Sequence, residues 1–326
     1  MLSGLQGKTG MILGKFLPPH AGHVYLIEFA QACVENLTVV LGSLKAEPIP
    51  GELRVQWLRQ LFPALQIVHL TDENPQYPHE HPDFWKIWQA SLERVLPQKP
   101  EWVFASEDYG WKLAEVLGAR YMPVDPGREN FPVSGTAIRE QPAQNWDFLP
   151  EVVRPWFLKR IAVMGPESTG KSTLARQLAQ HFQTLWVPEY ARTWIEAHQT
   201  RPSAADMPQI ARGQWATQQA MERKARAWLF YDTELWVTTI WNEVLFQQQD
   251  PAIAAQAARQ RFDHYLLCAP DVPWVADEVR YLPSGGEDFF LRCQALLERE
   301  KLPYTVISGN WHERWQKALS ALAQLS

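Results

Sequence analysis

Short apolar runs alternate with longer stretches whose apolar residues recur at helical spacing, and this alternation occurs in two series along the chain. The first series starts with the strand "GMILG" at 10–14, followed by the loop "KFLPPHAGH" and a helical pattern through Val24, Ile27, Phe29, Ala30 and Cys33. Strand, loop and helix in that order open a parallel α/β unit. Further strands are predicted at 37–43, 65–70, 101–106 and 119–125, with helices at 51–62, 83–96 and 109–117. Near-continuous apolar strands separated by helices imply a buried parallel sheet.

After Arg139 the pattern breaks into "QPAQNWDFLPEVVRPWFLKR", which holds three prolines and no clean period. It reads as an interdomain connection. A second series follows, with strands predicted at 160–164, 184–189, 228–232, 264–269 and 304–308. The expected fold class is therefore α/β with two parallel-sheet domains, at 1–145 and 159–326, joined by a linker at 146–158. A length of 326 residues agrees with two domains of about 150 residues each.

Composition narrows the picture. With 31 Lys and Arg against 36 Asp and Glu, the net charge is -5, so the chain lacks the basic footprint of a nucleic-acid binder. Cys33, Cys268 and Cys293 are odd in number, widely spaced and set among apolar neighbours, as expected of reduced thiols in a cytoplasmic protein. No apolar run approaches the ~20 residues of a membrane helix, and no signal peptide is recognisable. The sixteen tryptophans are scattered through both halves and read as packing residues. A homo-oligomer is compatible with the sequence.

Candidate chemistry is densest at "GPESTGKS", where Gly165, Gly170, Lys171 and Ser172 satisfy the phosphate-binding-loop pattern between an apolar strand and an apolar helix. Glycines let backbone N–H groups curl around phosphate oxygens, Lys171 neutralises the β and γ phosphates, and Ser172 can ligate Mg²⁺. ATP or GTP binding is expected. Doubly wound sheets place ligands at the ends of their strands, which selects Glu189, Tyr190 and Arg192 of "PEYAR" and Asp232, Thr233 and Glu234 of "YDTE". Either Glu189 or Asp232 could hold Mg²⁺ or accept a proton from an attacking hydroxyl. The segment "PDVPWVADEVRYLPSGGEDF", with Asp277, Arg280 and Arg292, reads either as a lid or as a solvated loop.

The first domain carries a second constellation. His20 and His23 flank Ala21 and Gly22 between a strand and a helix, so both imidazoles face whatever binds at an electropositive helix N-terminus. They could stabilise charge on a transferred nucleotidyl group; metal binding is the rival, without an evident third ligand. In "VSGTAIRE", Ser134 precedes a predicted helix with Thr136 in its first turn and Arg139 one turn on, an arrangement suited to phosphates. The "PHEHPD" run at 78–83 reads as a loop.

Lys15, His20-Ala-Gly-His23 and Ser134-Gly-Thr136-Ala-Ile-Arg139 resemble the cytidylyltransferase-type nucleotidyltransferase superfamily. With the P-loop domain behind them, nearly the whole chain resembles the bifunctional NadR family. That resemblance implies a Rossmann-like nicotinamide mononucleotide adenylyltransferase domain followed by a P-loop ribosylnicotinamide kinase domain, with ATP and Mg²⁺ as cofactors. Nicotinamide riboside, nicotinamide mononucleotide (NMN) and ATP would be substrates and NAD the product. It implies that Gly14, Lys15, Phe16, His20, His23, Ser134, Thr136 and Arg139 surround one ATP. Gly165, Glu167, Ser168, Thr169, Gly170, Lys171, Ser172, Thr173 and Arg280 would hold a second. Glu189 and Asp232 would be catalytic, with Asp232 and Ser172 on the metal, and Tyr190, Arg192, Thr233, Glu234, Trp274 and Asp277 would meet the acceptor.

Two departures from the family pattern matter. Glu234 stands where a second aspartate is expected, and only nine residues precede the first predicted strand, leaving no room for the helix-turn-helix of members that repress transcription. DNA is therefore not an expected partner, and neither is a membrane. The alternatives are the same folds acting on other acceptors, or a nucleotide-sensing regulator with weak turnover.

Overall fold

A computed structural model describes residues 7–275 and 285–325. The chain divides into two compact units between Arg154 and Pro155. The first unit runs β1 (Gly7–Gly14), α1 (Ala21–Cys33), β2 (Val34–Gly42), α2 (Gly51–Leu61), β3 (Gln66–Leu70), α3 (Phe84–Val95), β4 (Trp102–Ala105), α4 (Tyr109–Leu117), β5 (Arg120–Pro123) and α5 (Gly135–Glu140). All five strands are parallel, in the order β3-β2-β1-β4-β5.

Side chains alternate across a strand, and both faces of this sheet are covered. Ile12 joins Ile27, Val39 and Phe104 in one core, while its neighbour Met11 joins Val40, Leu92, Val103 and Leu113 in another. Two-sided burial explains why these strands read as apolar runs rather than alternating ones. Within the stretch expected as a linker, Trp146, Leu149 and Val153 are buried.

After a four-residue turn of helix, α6 (Arg154–Phe157), the second unit runs β6 (Lys159–Met164), α7 (Lys171–His181), β7 (Leu185–Val187), α8 (Tyr190–His198), α9 (Met207–Glu222), β8 (Trp228–Asp232), α10 (Leu235–Phe246), α11 (Pro251–Arg259), β9 (His264–Cys268), α12 (Gly286–Arg299), β10 (Tyr304–Ile307) and α13 (Trp311–Ala323). Its sheet is again five-stranded and parallel, in the order β10-β9-β6-β8-β7. In each unit the first strand is the central one; the first unit winds outward from it on both sides, whereas in the second the chain passes from β6 to the edge strand β7, returns through β8 and then continues outward through β9 and β10. The connection order reverses there, so the loop after the central strand opens into a crevice at the carboxyl ends of the strands.

Candidate functional site

In the second unit that loop is the phosphate-binding pattern. Gly165 has φ +135°, and a Cβ on it would lie 2.5 Å from the Cys268 carbonyl oxygen; Gly170 has φ +80° at the N-terminus of α7. Both positions demand glycine. The Thr169 hydroxyl and the Lys171 ammonium both donate to the Pro166 carbonyl, at 2.8 and 2.7 Å, so the lysine is drawn back over its own loop. Arg314 on α13 is buried and donates to the carbonyls of Thr169 and Ala269, at 3.2 and 2.9 Å, tying the last helix to the loop.

The carboxylates expected at the strand ends converge here. Asp232, at the tip of β8, is buried and takes a hydrogen bond from the Ser172 hydroxyl. Its Oδ1 has no partner among the described residues. Burial raises its carboxyl pKa, opposed by Lys171, Ser172, Arg176 and Arg192. Glu189, at the end of β7, is also shifted upward, by burial first, with Asp232 adding to the shift and Lys171 and Arg192 opposing it. Lys171 and Arg192 act on both carboxylates, yet burial outweighs them and each carboxyl stays shifted upward. Among the described residues no group of three or more His, Cys, Asp and Glu could hold a metal. An ion here would need non-protein oxygens besides Ser172 and Asp232.

An open cleft with a cavity volume of about 150 Å³ runs from this point. Its lining combines the phosphate-binding loop from Glu167 to Thr173 with Glu189, Arg192 and Thr233 and with the apolar side chains of Ile195, Met207, Ile210, Val237 and Trp241. A lining of apolar side chains with a few polar and charged groups is the usual make-up of a small-molecule site. Tyr190 packs edgewise on α9, where a Cβ on Gly213 would lie 2.0 Å from its ring. Glu234 is fully buried, and its two oxygens accept from the amides of Trp236 and Val237 at 2.7 and 3.2 Å. It caps α10 rather than lining the cleft. Trp274 is partly exposed, and beside it the Val275 amide donates to the Ser168 hydroxyl at 2.7 Å. Asp277 and Arg280 lie outside the described residues.

In the first unit, the loop after β1 brings His20 and His23 together with ring centroids 3.8 Å apart. Desolvation lowers the pKa of His20 to about 4, with Arg128 adding to it. The same burial, with His20 and Arg128 nearby, carries His23 well below the usual histidine range. Neither Nδ1 has a partner among the described residues. A pair of neutral imidazoles beside an arginine is a site awaiting negative charge. Phe16 is buried, 4.9 Å from the His23 ring, and its ring packs over Gly14.

The "VSGTAIRE" segment closes on this loop. Ser134 caps α5 by accepting from the Ala137 amide at 3.1 Å, and Arg139 donates to the Leu17 carbonyl and, at 3.1 Å, to the Thr136 hydroxyl. Gly135 permits this approach, since a Cβ there would lie 2.4 Å from the Leu17 oxygen. The segments around positions 20 and 134 are thus in direct contact.

Two residues not singled out from the sequence complete the loop. Arg54 on α2 is fully buried and donates to the Lys15 carbonyl at 2.6 Å and to Glu47 at 2.5 Å. The other Glu47 oxygen sits 3.3 Å from the Lys15 ammonium. Burial acts to raise the Glu47 carboxyl, but the Leu44 amide, Arg54 and Lys15 together hold it below its ordinary value. The available signal was a charged residue on the apolar face of α2, one turn before Leu58 and beside Val55.

A family model described as an AAA domain matches residues 160–314. The trifunctional NAD biosynthesis/regulator protein NadR of Salmonella typhimurium is 30% identical over 301 residues, covering 86% of this chain and 73% of that protein. The Escherichia coli protein of the same name is 31% identical over 303 residues, with the same coverage. The chain belongs to the NadR family.

Solved NadR structures share its fold almost end to end. One in complex with NAD and AMP-PNP superposes with a TM-score of 0.77 at 22% identity, and one in complex with NR with 0.79 at 23%; each covers 98% of this chain and 96% of the other. The two parallel sheets and the P-loop are therefore the NadR architecture.

Proposed function

We propose that the chain is a bifunctional NAD-forming enzyme: its second unit phosphorylates nicotinamide riboside to NMN, and its first transfers the adenylyl group of ATP to NMN. Membership of the NadR family supports NAD biosynthesis in general. The observation that carries the kinase assignment is that Lys171, Ser172 and Glu189 line one cleft, with the buried Asp232 against Ser172. Trp241 in the same lining suits a flat aromatic base.

In the kinase step the acceptor's 5′-hydroxyl attacks the γ-phosphorus of ATP. Glu189, which lines the cleft and has a raised pKa, takes the proton, while Lys171 follows the charge developing on the transferred group. The orphaned Asp232 Oδ1 and the Ser172 hydroxyl fit a Mg²⁺ ion, which when bound would supply charge neutralisation at the β and γ phosphates. The P-loop amides and Lys171 position the nucleotide.

In the transferase step an oxygen of the NMN phosphate attacks the α-phosphorus of ATP and pyrophosphate departs. An ionised phosphate is already a nucleophile, so no protein base is required. His20, His23, Lys15 and Arg139 act by positioning and by electrostatic stabilisation.

Chromatographic product analysis of the purified protein with Mg·ATP and nicotinamide riboside tests both steps. NMN followed by NAD is the expected course. Accumulation of NMN alone would remove the transferase reading, and no product would remove the kinase acceptor.

A further inference from the structure

The cations beside the loop after β1 are not held alike. The Lys15 ammonium lies 3.3 Å from Glu47, a nearly buried carboxylate that also binds Arg54. Arg139 donates to the Leu17 carbonyl and the Thr136 hydroxyl, bonds that tie α5 to the loop. Arg128 stands in the segment between β5 and α5. Its guanidinium pairs at 3.2 Å with Glu107, which lies between β4 and α4, and the two side chains are 43% and 58% exposed. An ion pair in that setting contributes little and is readily exchanged. Of these three charges, that of Arg128 moves at the smallest cost.

The backbone around Arg128 is nevertheless fixed. Asp125 accepts from the amides of Glu129 and Asn130 at 2.9 and 3.2 Å, and its carbonyl accepts from the Arg128 amide at 2.9 Å. Asp125 and Arg128 have φ +48° and +53°, values that a side chain other than glycine adopts at a cost. Three residues on, the Phe131 ring packs 5.4 Å from that of Tyr25, and a Cβ on Gly22, between the two histidines, would lie 3.7 Å from the Phe131 Cβ. The segment is thus seated on the first turn of α1. The Arg128 charge acts on both imidazoles, opposing their protonation. His20 is 7% exposed, and its Nδ1 has no partner among the described residues. Neutral imidazoles offer hydrogen bonds but bring no charge to an incoming triphosphate, so the charge has to come from a neighbouring cation.

We propose that Arg128 is a catalytic residue of adenylyl transfer, resting on Glu107 and passing to the pyrophosphate portion of ATP, where it stabilises the charge that develops as that group departs. The inference rests on the transferase reading above. That reading gives the two histidines to ATP, so a cation acting on both belongs with the triphosphate rather than with the acceptor. In the step, a bond forms from the NMN phosphate oxygen to the α-phosphorus, and the bond from the α-phosphorus to the oxygen bridging to the β-phosphate breaks. The electron pair leaves with pyrophosphate, and no proton has to move. Negative charge gathers on the departing group, and a guanidinium can meet two of its oxygens at once. Glu107 is the positioning residue: it stores the guanidinium near the histidines before ATP enters and gives it up to a ligand of higher charge.

The test follows the transfer in both directions in the full chain, as NAD formation from NMN and ATP and as the reverse reaction of NAD with pyrophosphate. In Arg128→Gln the forward kcat should fall by about 100-fold or more, the effect of removing one transition-state donor. The KM for pyrophosphate should rise in the same variant, with the KM for NMN unchanged. Arg128→Lys should recover part of kcat, and guanidinium ion, at a concentration too low to unfold the protein, should restore activity to Arg128→Ala. Glu107→Gln should lower the pyrophosphate KM by about two- to fivefold, the worth of an exposed ion pair, and should have no effect in the Arg128→Gln background. A merely structural arginine would shift the unfolding temperature and the KM values for both ligands together, without rescue by guanidinium. A forward kcat in Arg128→Gln equal to that of the unmodified protein, or a rise in the KM for NMN with that for pyrophosphate unchanged, would overturn the inference while leaving the transferase reading intact. Absence of NAD from NMN and ATP in the unmodified protein would overturn both.

Discussion

The fully buried guanidinium of Arg54 donates to the carbonyl of Lys15 at 2.6 Å, so a helix three elements downstream fixes the backbone of the loop after β1. Glu47 links the two, holding Arg54 at 2.5 Å and the Lys15 ammonium at 3.3 Å. Glu47→Gln keeps the shape and removes the charge. Adenylyl transfer should fall by about 100-fold, the scale of a misplaced catalytic group, with phosphorylation of the riboside unchanged when both rates are measured on one preparation. Arg54→Ala should be worse, since stripping one partner from a buried pair costs about 3–5 kcal/mol; thermal unfolding would show it.

Gly135 is required by contact, not by dihedral angle. A methyl group there would meet the Leu17 oxygen at 2.4 Å and push α5, with Arg139, off the loop. Gly135→Ala should cost about 1–3 kcal/mol in stability and reduce adenylyl transfer. Gly127→Ala, where the nearest atom to an added Cβ is 3.4 Å away on a flexible side chain, is the matched control.

Lys171 and His23 stand in different units, so their effects should separate. Lys171→Ala should lower riboside phosphorylation by about 100- to 1000-fold, the range for removing one transition-state contact, while NAD synthesis from NMN persists. His23→Ala should do the reverse. Assays of each half-reaction in each variant decide it, and joint loss would mean that the two reactions share one site.

The histidine pair gives a pH dependence with a defined sign. His20 is depressed to about 4 in the fold against an ordinary 6.5. Its contribution to stability is therefore present above pH 6.5 and is lost as the pH falls towards 4. A triphosphate beside the rings would favour their charged forms, so ATP binding should take up protons between pH 5 and 6. Calorimetry in buffers of different ionisation heat, run in the Lys171→Ala background to silence the second site, should register that uptake. It should fall in His20→Asn.

The alternation of apolar strands and helices was fully legible, because burial on both faces writes itself into continuous runs such as "TVVL" and "IAVM". The P-loop and the two histidines were legible for another reason: their spacing is set by local backbone geometry. What the sequence did not reveal depends on contacts distant in the chain. Arg54 reaches Lys15 across 39 positions; its place on the apolar face of α2 hinted that it is buried, but nothing local names the carbonyl it meets. Glu234 was expected at the acceptor because it follows Asp232 at a strand end, and the sequence did not show that its carboxylate accepts from the Trp236 and Val237 amides of α10. A side-chain oxygen ahead of a helix serves that helix unless its geometry prevents it.

Each candidate-site loop grows from the middle strand of its sheet, β1 or β6, whose neighbours lie hydrogen-bonded on both sides. Deuterium should therefore enter the amides of these two strands last, as in the most protected part of a fold, and enter the loops directly after them early. The boundary between the slowest and the fastest exchanging amides then falls within a few residues of Gly14 and of Met164. Each loop can rearrange around its nucleotide while the base it pivots on stays still.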